Sequence, residues 1–277
     1  MTSIRCDDGV ALHVEETGQG EPILFVHEFG GEAASWDGQV AAFADRYRCI
    51  RYCARGFHPS DVPESEEYYG QERATLDLIS VADALGVDRF HLVGLSMGSF
   101  TSLMASLAVP DRILSLTLAG CSSGPRDGEE LQRYRADLTT EIALLERLNG
   151  DGAVKWFAED GAYRRMPEKN PQAWRRYCER LRAQSTLGAR NTLRTLHWNR
   201  TCLWSRTDAL RRLPTATLLI HGDEDHAFIR PTNTLLAETL PHAGRIELAR
   251  TGHLVNLEEP EAFNRALSVH LLGETAP

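Results

Sequence analysis

The chain lacks any long apolar segment, and nothing in its 277 residues approaches the ~20 apolar residues that a membrane-spanning helix needs. Its first residues, Met-Thr-Ser-Ile-Arg, also lack the apolar stretch of a secretory signal. Hydrophobic residues make up 42% and charged residues 25% of the chain, as in globular domains with a large core. We therefore expect a cytoplasmic protein with no membrane partner.

Cysteine chemistry has little support in this sequence. The six cysteines are scattered, and the chain contains neither a C-x-x-C pair nor a His/Cys cluster with the spacing of metal ligands. In a reducing compartment the cysteines are expected to be free thiols, mostly buried. The sequence therefore predicts no metal site.

Lysine is nearly absent, and the charge is unevenly distributed. Only Lys155 and Lys169 are lysines among 30 basic residues, and the net charge of −9 disfavours nucleic-acid binding. Residues 123–206 nevertheless hold 16 basic against 11 acidic residues, a net charge of +5. This segment could attract anionic substrates.

Outside that segment, short apolar runs alternate with helical patterns, which predicts a mostly parallel sheet covered on both faces. Strands are predicted at 4–6, 10–15, 22–27, 49–54, 89–95, 113–119, 217–221 and 245–249. Helices are predicted at 35–43, with Ser35 as a candidate cap, and at 71–85, 97–109, 231–239 and 260–272.

The alternation stops between residues 123 and 206, which are arginine-rich and helical in pattern and hold four of the five tryptophans. A segment of this length is too long for a loop in a compact domain. We predict a core formed by residues 1–122 and 207–277, and a helical cap formed by residues 123–206 that covers the site.

The most informative motif is Gly94-Leu-Ser96-Met-Gly98, which follows the predicted strand 89–95 and opens a helix. Glycines two residues before and after a serine allow a turn too tight for side chains there. Such a turn holds the serine hydroxyl clear of the sheet as a nucleophile. The motif resembles the nucleophile elbow of the α/β-hydrolase superfamily, and the resemblance extends over nearly the whole chain outside residues 123–206.

The resemblance implies a catalytic triad in the chain order Ser, acid, His. The acid is expected in His221-Gly-Asp-Glu-Asp-His226, where the family pattern indicates Asp225 and leaves Asp223 as the alternative. The base is expected to be His253, in Thr251-Gly-His253 before the last predicted helix. His13, His91, His197, His242 and His270 match no motif and are expected to be surface or core residues.

The resemblance also implies an oxyanion hole formed by two backbone N–H groups. One is that of Met97, directly after the nucleophile, and the other is that of Phe29 in His27-Glu28-Phe29-Gly-Gly. Glu28 stands where this loop usually has glycine. Its carboxylate either points to solvent or a structural arginine such as Arg55, or lies at the mouth of the oxyanion hole and binds a cationic group or handles a proton.

Substrate contacts are less well defined. His58 either faces the pocket or only stiffens a turn in Arg55-Gly-Phe-His58-Pro-Ser. Some aromatic side chains of the predicted cap are expected to line an acyl or ring pocket, and the others to pack the cap onto the core. The tryptophans among them are Trp156, Trp174, Trp198 and Trp204.

These features predict a serine hydrolase that cleaves a small-molecule carboxylic ester or related acyl compound through an acyl-enzyme on Ser96, without a cofactor or metal. A lactonase, a C–C hydrolase of diketone ring-fission products and a cofactor-free perhydrolase are alternatives. A ligand receptor that retains the triad is a further alternative, of a different class.

Overall fold

A computed structural model describes residues 2–273, so Met1 and residues 274–277 of the predicted core lie outside the described residues. The strands are β1 (Thr2–Arg5), β2 (Ala11–Thr17), β3 (Glu21–Val26), β4 (Tyr47–Tyr52), β5 (Phe90–Leu95), β6 (Ile113–Ala119), β7 (Thr217–Gly222) and β8 (Ala243–Leu248). They form one sheet in the order β1-β2-β4-β3-β5-β6-β7-β8. Only the β1–β2 and β2–β4 pairs are antiparallel, which confirms the mostly parallel α/β sheet.

The apolar pattern of the strands follows their place in the sheet. Every residue of β5 and of β7 is buried, as expected for central parallel strands with helices on both faces. Strand β8 lies at the edge of the sheet and has no fully buried residue. The core is divided into two apolar clusters, one of which contains Ile23, Phe25 and Val93, and the other Leu24, Val26 and Leu92. Since these residues alternate along β3 and β5, the clusters lie on opposite faces of the sheet.

The α-helices are α1 (Asp37–Phe43), α2 (Gln71–Ala84), α3 (Met97–Ala108), α4 (Gly128–Glu159), α5 (Met166–Lys169), α6 (Pro171–Ala183), α7 (Thr186–Thr192), α8 (Thr207–Arg211), α9 (Ile229–Thr239), α10 (Val255–Glu258) and α11 (Pro260–Leu271). The expectation that Ser35 is the N-terminal capping residue of α1 is wrong. Ser35 lies inside a 3₁₀ turn, Ala33–Trp36, that precedes α1, and its hydroxyl donates to the Glu28 carboxyl at 2.9 Å.

Residues 123–206 contain helices α4 to α7 and no strand. Helix α4 is broken at Asn149, where φ is 52° and ψ is −139°. Three contacts tie this segment to residues that follow the last two strands. The His253 N–H donates to the Ala162 carbonyl at 2.8 Å, Lys169 pairs with Glu259, and Arg165 pairs with Glu224 at 2.8 Å. The division into core and cap stays a prediction, while these contacts place residues 160–170 beside His253.

The described residues include no helix that is both long enough and apolar enough to cross a membrane. The six cysteines are free, and all except Cys202 are buried. Burial raises the pKa of Cys53 and of Cys6 to about 12, so neither thiol is ionised at neutral pH.

Candidate active site

Ser96 occupies a strained turn between β5 and α3. Its φ of 54° and ψ of −111° lie in a region that residues with side chains rarely adopt. A Cβ on Gly98 would lie 2.1 Å from the Val26 carbonyl oxygen, and one on Gly94 would lie 2.4 Å from the Gly98 carbonyl oxygen. Only glycine fits at these two positions, so the spacing of the motif follows directly from the packing of α3 against β3 and β5.

His253 and Asp225 form a buried hydrogen-bonded pair. His253 Nδ1 donates to Asp225 Oδ1 at 2.7 Å, and the two side chains are 4% and 2% exposed. Asp223 has a different contact, because its carboxylate accepts from the Thr251 N–H at 3.2 Å. The structure therefore places Asp225, and not Asp223, against the imidazole.

The charge of Asp225 favours the protonated form of His253. Burial alone would lower the pKa of His253, but the adjacent Asp225 carboxylate outweighs it and raises that pKa above its usual value. The pKa of Asp225 is lowered in turn, since the charge and hydrogen bond of His253 outweigh burial. His226 lies beside them, with its ring centre 4.9 Å from that of His253, and burial lowers its pKa.

Two backbone N–H groups are candidates for stabilising an oxyanion. Met97 is the first residue of α3, where N–H groups have no partner within the helix and the helix dipole favours negative charge. Phe29 lies in the loop after β3, and His27 holds that loop in place. His27 Nδ1 donates to the Glu28 carbonyl at 2.7 Å, and Nε2 accepts from the Ala54 N–H at 2.9 Å. Burial lowers the pKa of His27 to about 4, so its ring stays neutral in this role.

Glu28 points into the protein rather than to solvent. The residue is 1% exposed, and its second carboxyl oxygen, Oε2, has no hydrogen-bond partner in the described protein. The carboxyl lies over Gly31, where a Cβ would be 2.4 Å away. Arg55 is not its partner, because that guanidinium pairs with Asp77 at 2.6 Å and with Asp8 at 2.7 Å. The expected positions in solvent and beside Arg55 are therefore wrong.

We expect Glu28→Gln to retain activity within about threefold and to become more stable than the wild type as pH rises. Burial raises the pKa of Glu28, so the folded protein keeps a proton that the unfolded chain loses. The resulting stability is present below the ordinary glutamate pKa and is lost as pH rises through the folded-state value. Between the unfolded-state and folded-state pKa values of Glu28, the difference in unfolding free energy between Glu28→Gln and the wild type should grow by about 1.4 kcal/mol per pH unit. Urea unfolding from pH 5 to 8 measures this difference.

The matched control is Glu67→Gln, which removes an exposed carboxylate far along the chain and should leave that pH dependence unchanged. A loss of about 100-fold in turnover for Glu28→Gln would instead show that this carboxyl handles a proton during the reaction.

Ser96 and His253 open onto a cavity of about 510 Å³. Phe29 lines it at one side, next to the rings of Phe57 and His197 at 5.8 and 5.3 Å. Residues 123–206 supply most of the remaining wall. The lining side chains from that segment include Tyr134, Leu138, Glu141, Trp156, Phe157, Asp160, Tyr163, Leu193, His197 and Arg200. A volume of this size holds a small organic molecule.

Most of the other candidates for substrate contact do not line this cavity. Of the four tryptophans only Trp156 does. Trp174 stacks on Tyr177 at 5.9 Å, while Trp198 and Trp204 each lie under an arginine guanidinium, at 5.0 Å. His58 is exposed, and its N–H donates to Gln184 at 2.8 Å. A tryptophan ring can pack against the core or line a cavity equally well. Residue type alone therefore could not assign these rings to the cavity.

Sequence reasoning missed the polar part of the cavity wall. Arg200 and His197, the latter expected to be a surface or core residue, both line it together with Ser122. No motif marks these residues. The one available signal was the excess of arginine in residues 123–206, which does not distinguish Arg200 from the solvent-facing arginines.

Asp225, His226 and His253 could together hold a metal ion, since one donor atom of each lies within 4.8 Å of the others. Two of these residues, Asp225 and His253, are the pair joined by the 2.7 Å hydrogen bond. The absence of a metal in the reaction stays an expectation.

The family model described as alpha/beta hydrolase family matches residues 23–266. The chain belongs to this family. The protein is accordingly a hydrolase by family, and the fold expected from the elbow motif is confirmed.

Individual relatives match this chain over nearly its full length. The chain is 25% identical to 3-oxoadipate enol-lactonase 2 of Acinetobacter baylyi over 93% of this chain and 92% of the relative. It is 28% identical to 2-hydroxymuconate semialdehyde hydrolase of Pseudomonas putida, over 93% of this chain and 89% of the relative. The crystal structure of a hydrolase from Pseudomonas aeruginosa PA01 superimposes with a TM-score of 0.85 at 25% identity, covering 98% of both chains.

Proposed function

We propose that this hydrolase cleaves a carboxylic ester or lactone of a small molecule through an acyl-enzyme on Ser96. One observation carries the proposal. A serine held at a φ of 54° opens onto the same cavity as a histidine whose other ring nitrogen is bonded to a buried carboxylate. Serine is a poor nucleophile alone, and a base oriented by an acid supplies what it lacks.

Each group has a defined role in this reaction. His253 Nε2 takes the Ser96 proton as Oγ attacks the carbonyl, and Asp225 holds the ring and stabilises its positive charge. The N–H groups of Phe29 and Met97 bind the oxyanion, each such donor being worth ~3 kcal/mol. His253 then gives the proton to the leaving alcohol, and activates the water that releases the acid. These steps require no cofactor or metal.

Relatives favour an acyl bond but leave its type open. A curated relative is named an enol-lactonase, which supports a cyclic ester as the substrate. Another is named a 2-hydroxymuconate semialdehyde hydrolase, which keeps cleavage of a C–C bond beside a carbonyl as the second candidate. Both reactions would use Ser96 and His253, so variants at these residues do not distinguish them. A screen of short esters, lactones and vinylogous diketones does.

Pre-steady-state hydrolysis of 4-nitrophenyl acetate tests the proposal. We expect a burst of one 4-nitrophenolate per active site, because acylation of Ser96 precedes slower deacylation. Mass spectrometry of the quenched burst should show an added acetyl group on the peptide that contains Ser96. A ligand receptor, or an enzyme acting by direct attack of water, would give no burst and no acetylated peptide.

A further inference from the structure

The cavity wall contains a buried arginine without a carboxylate partner. Arg200 is 8% exposed and lines the cavity together with Ser96. Its guanidinium donates to the Ser122 hydroxyl and to His197 Nδ1, the latter at 3.2 Å, and its Nε–H has no acceptor within the described residues. The Phe100 ring lies 5.2 Å from the guanidinium carbon. Two of five N–H donors are therefore used.

Most arginines elsewhere in the described protein pair with at least one carboxylate. Arg55, which is 4% exposed, is paired with two carboxylates, Asp77 and Asp8. Burying a cation with no partner is costly, so an unpaired buried guanidinium beside a cavity suits an anionic ligand. The contrast between the two arginines indicates that Arg200 lacks a counter-ion that the protein does not itself supply.

His197 adds a second donor that has no partner. Because its Nδ1 accepts from Arg200, the proton of the neutral ring lies on Nε2, and that nitrogen has no acceptor in the described protein. Burial and the charge of Arg200 hold the pKa of His197 well below its usual value, so the ring stays neutral. His197 ends a π-helical stretch, Leu193–His197, a local geometry that is frequent at functional sites.

These groups adjoin the reaction centre. Ser122 follows β6, whose last residue, Ala119, accepts from the Ser96 N–H at 2.8 Å. Phe100 lies one turn after Ser96 on α3, and His197 packs against Phe29. A group bound by Arg200 would belong to the same molecule whose carbonyl meets Ser96.

Acidic groups also line the cavity and could compete for a cation instead. Glu130 already pairs with Arg126 at 3.1 Å, and Asp160 accepts from the Ala162 N–H at 2.8 Å. Burial, with the charge of Asp160, raises the pKa of Glu141 to about 8, so this carboxyl is largely neutral at pH 7. Asp137 is exposed. The Arg200 guanidinium is thus the buried charge with the least compensation.

We propose that Arg200, with Ser122 and His197, binds a carboxylate of the substrate, so that the natural ester or lactone is an anion. This rests on the proposed function for its link to turnover. The arrangement joins an always charged, planar donor to two further donors, and such groups suit a carboxylate.

The kinetic test uses three 4-nitrophenyl esters of similar length that carry a carboxylate, no charge or a trimethylammonium group. They are esters of glutaric acid, hexanoic acid and 4-(trimethylammonio)butanoic acid. We expect the wild type to prefer the glutarate ester by about 10–100-fold in kcat/KM over the hexanoate ester, as for charge-assisted hydrogen bonds. Arg200→Gln should lose that preference, with the larger fall in kcat/KM on the glutarate ester, and its urea unfolding transition checks that it folds. Arg211→Gln, an exposed arginine beside Asp208, is the charge-matched control and should keep the preference.

Direct binding separates this proposal from the chemistry. Titration calorimetry of Ser96→Ala should show glutarate binding at least 10-fold more tightly than glutaramide, and Ser96→Ala/Arg200→Gln should show no difference. A preference for the ammonium ester, or a glutarate preference that survives Arg200→Gln, would overturn the carboxylate site. Failure of the proposed function has another signature, namely ester hydrolysis that persists in Ser96→Ala.

Discussion

Ser96→Ala should lower kcat for ester hydrolysis by about 10⁴–10⁶-fold, and His253→Ala should lower it by a similar factor. The two residues act in one step, because the Ser96 hydroxyl attacks only as His253 takes its proton. The double variant should therefore be little worse than either single variant. Steady-state turnover of 4-nitrophenyl acetate, with enzyme concentration raised to detect residual rates, measures all three.

A matched serine in the same helix provides the control. Ser99 is buried three residues after Ser96. Ser99→Ala removes the same atom, and we expect activity within about threefold of the wild type. Near-native melting temperatures for Ser96→Ala would show that its loss is chemical, since alanine keeps the Cβ that already occupies the strained turn. Retained hydrolysis in Ser96→Ala would exclude the covalent mechanism.

Asp225→Asn should lower kcat by about 10⁴-fold, whereas Asp223→Asn should cost less than about tenfold. The Asp225 carboxylate accepts the proton on His253 Nδ1 at 2.7 Å, and an amide there can favour the wrong tautomer of the ring. Asp223 contacts the Thr251 N–H instead, so its replacement affects only the local loop. The two substitutions remove the same charge two residues apart and control for each other. A larger loss at Asp223 would reverse the assignment of the acid.

The pH profile gives the same comparison independently. His253 must be neutral to act as a base, so kcat/KM should rise with pH and level off above the raised pKa of this histidine. Replacing Asp225 removes the charge that raises that pKa, so the midpoint should shift to lower pH in the residual activity of Asp225→Asn. Rates from pH 5 to 9 measure the shift, and an unchanged midpoint would mean that another group controls the profile.

The predicted triad residues show how much of the site local sequence patterns can predict. Ser96 could be predicted from the sequence because two glycines, a preceding apolar strand and a following helix are all required within nine residues. Asp225 and His253 lie far apart in the chain, and the spacing between them carries no information about contact. A parallel sheet brings the loops after neighbouring strands to the same edge, and the family resemblance supplied the chain order of serine, acid and histidine.

Glu28 and the tryptophans mark the limit of such patterns. A carboxylate in a loop is usually solvated, and nothing within the motif indicates that Glu28 turns back over Gly31 to meet Ser35. Trp156 lines the cavity while Trp174 does not, although both are half-buried aromatics on helices of one segment. The rotation of each helix against its neighbours decides this, and that rotation depends on many distant contacts.

The sequence by itself determined the fold class and the order of strands and helices, and it predicted the nucleophile, because periodicity and backbone sterics act over a few residues. The tertiary structure alone decided which carboxylate meets His253, where Glu28 points and which arginine remains unpaired in the cavity. These depend on which side chains meet across the packed elements. Arg200 is one of 30 basic residues in the sequence, and only the packing of residues 123–206 over Ser96 distinguishes it from the others.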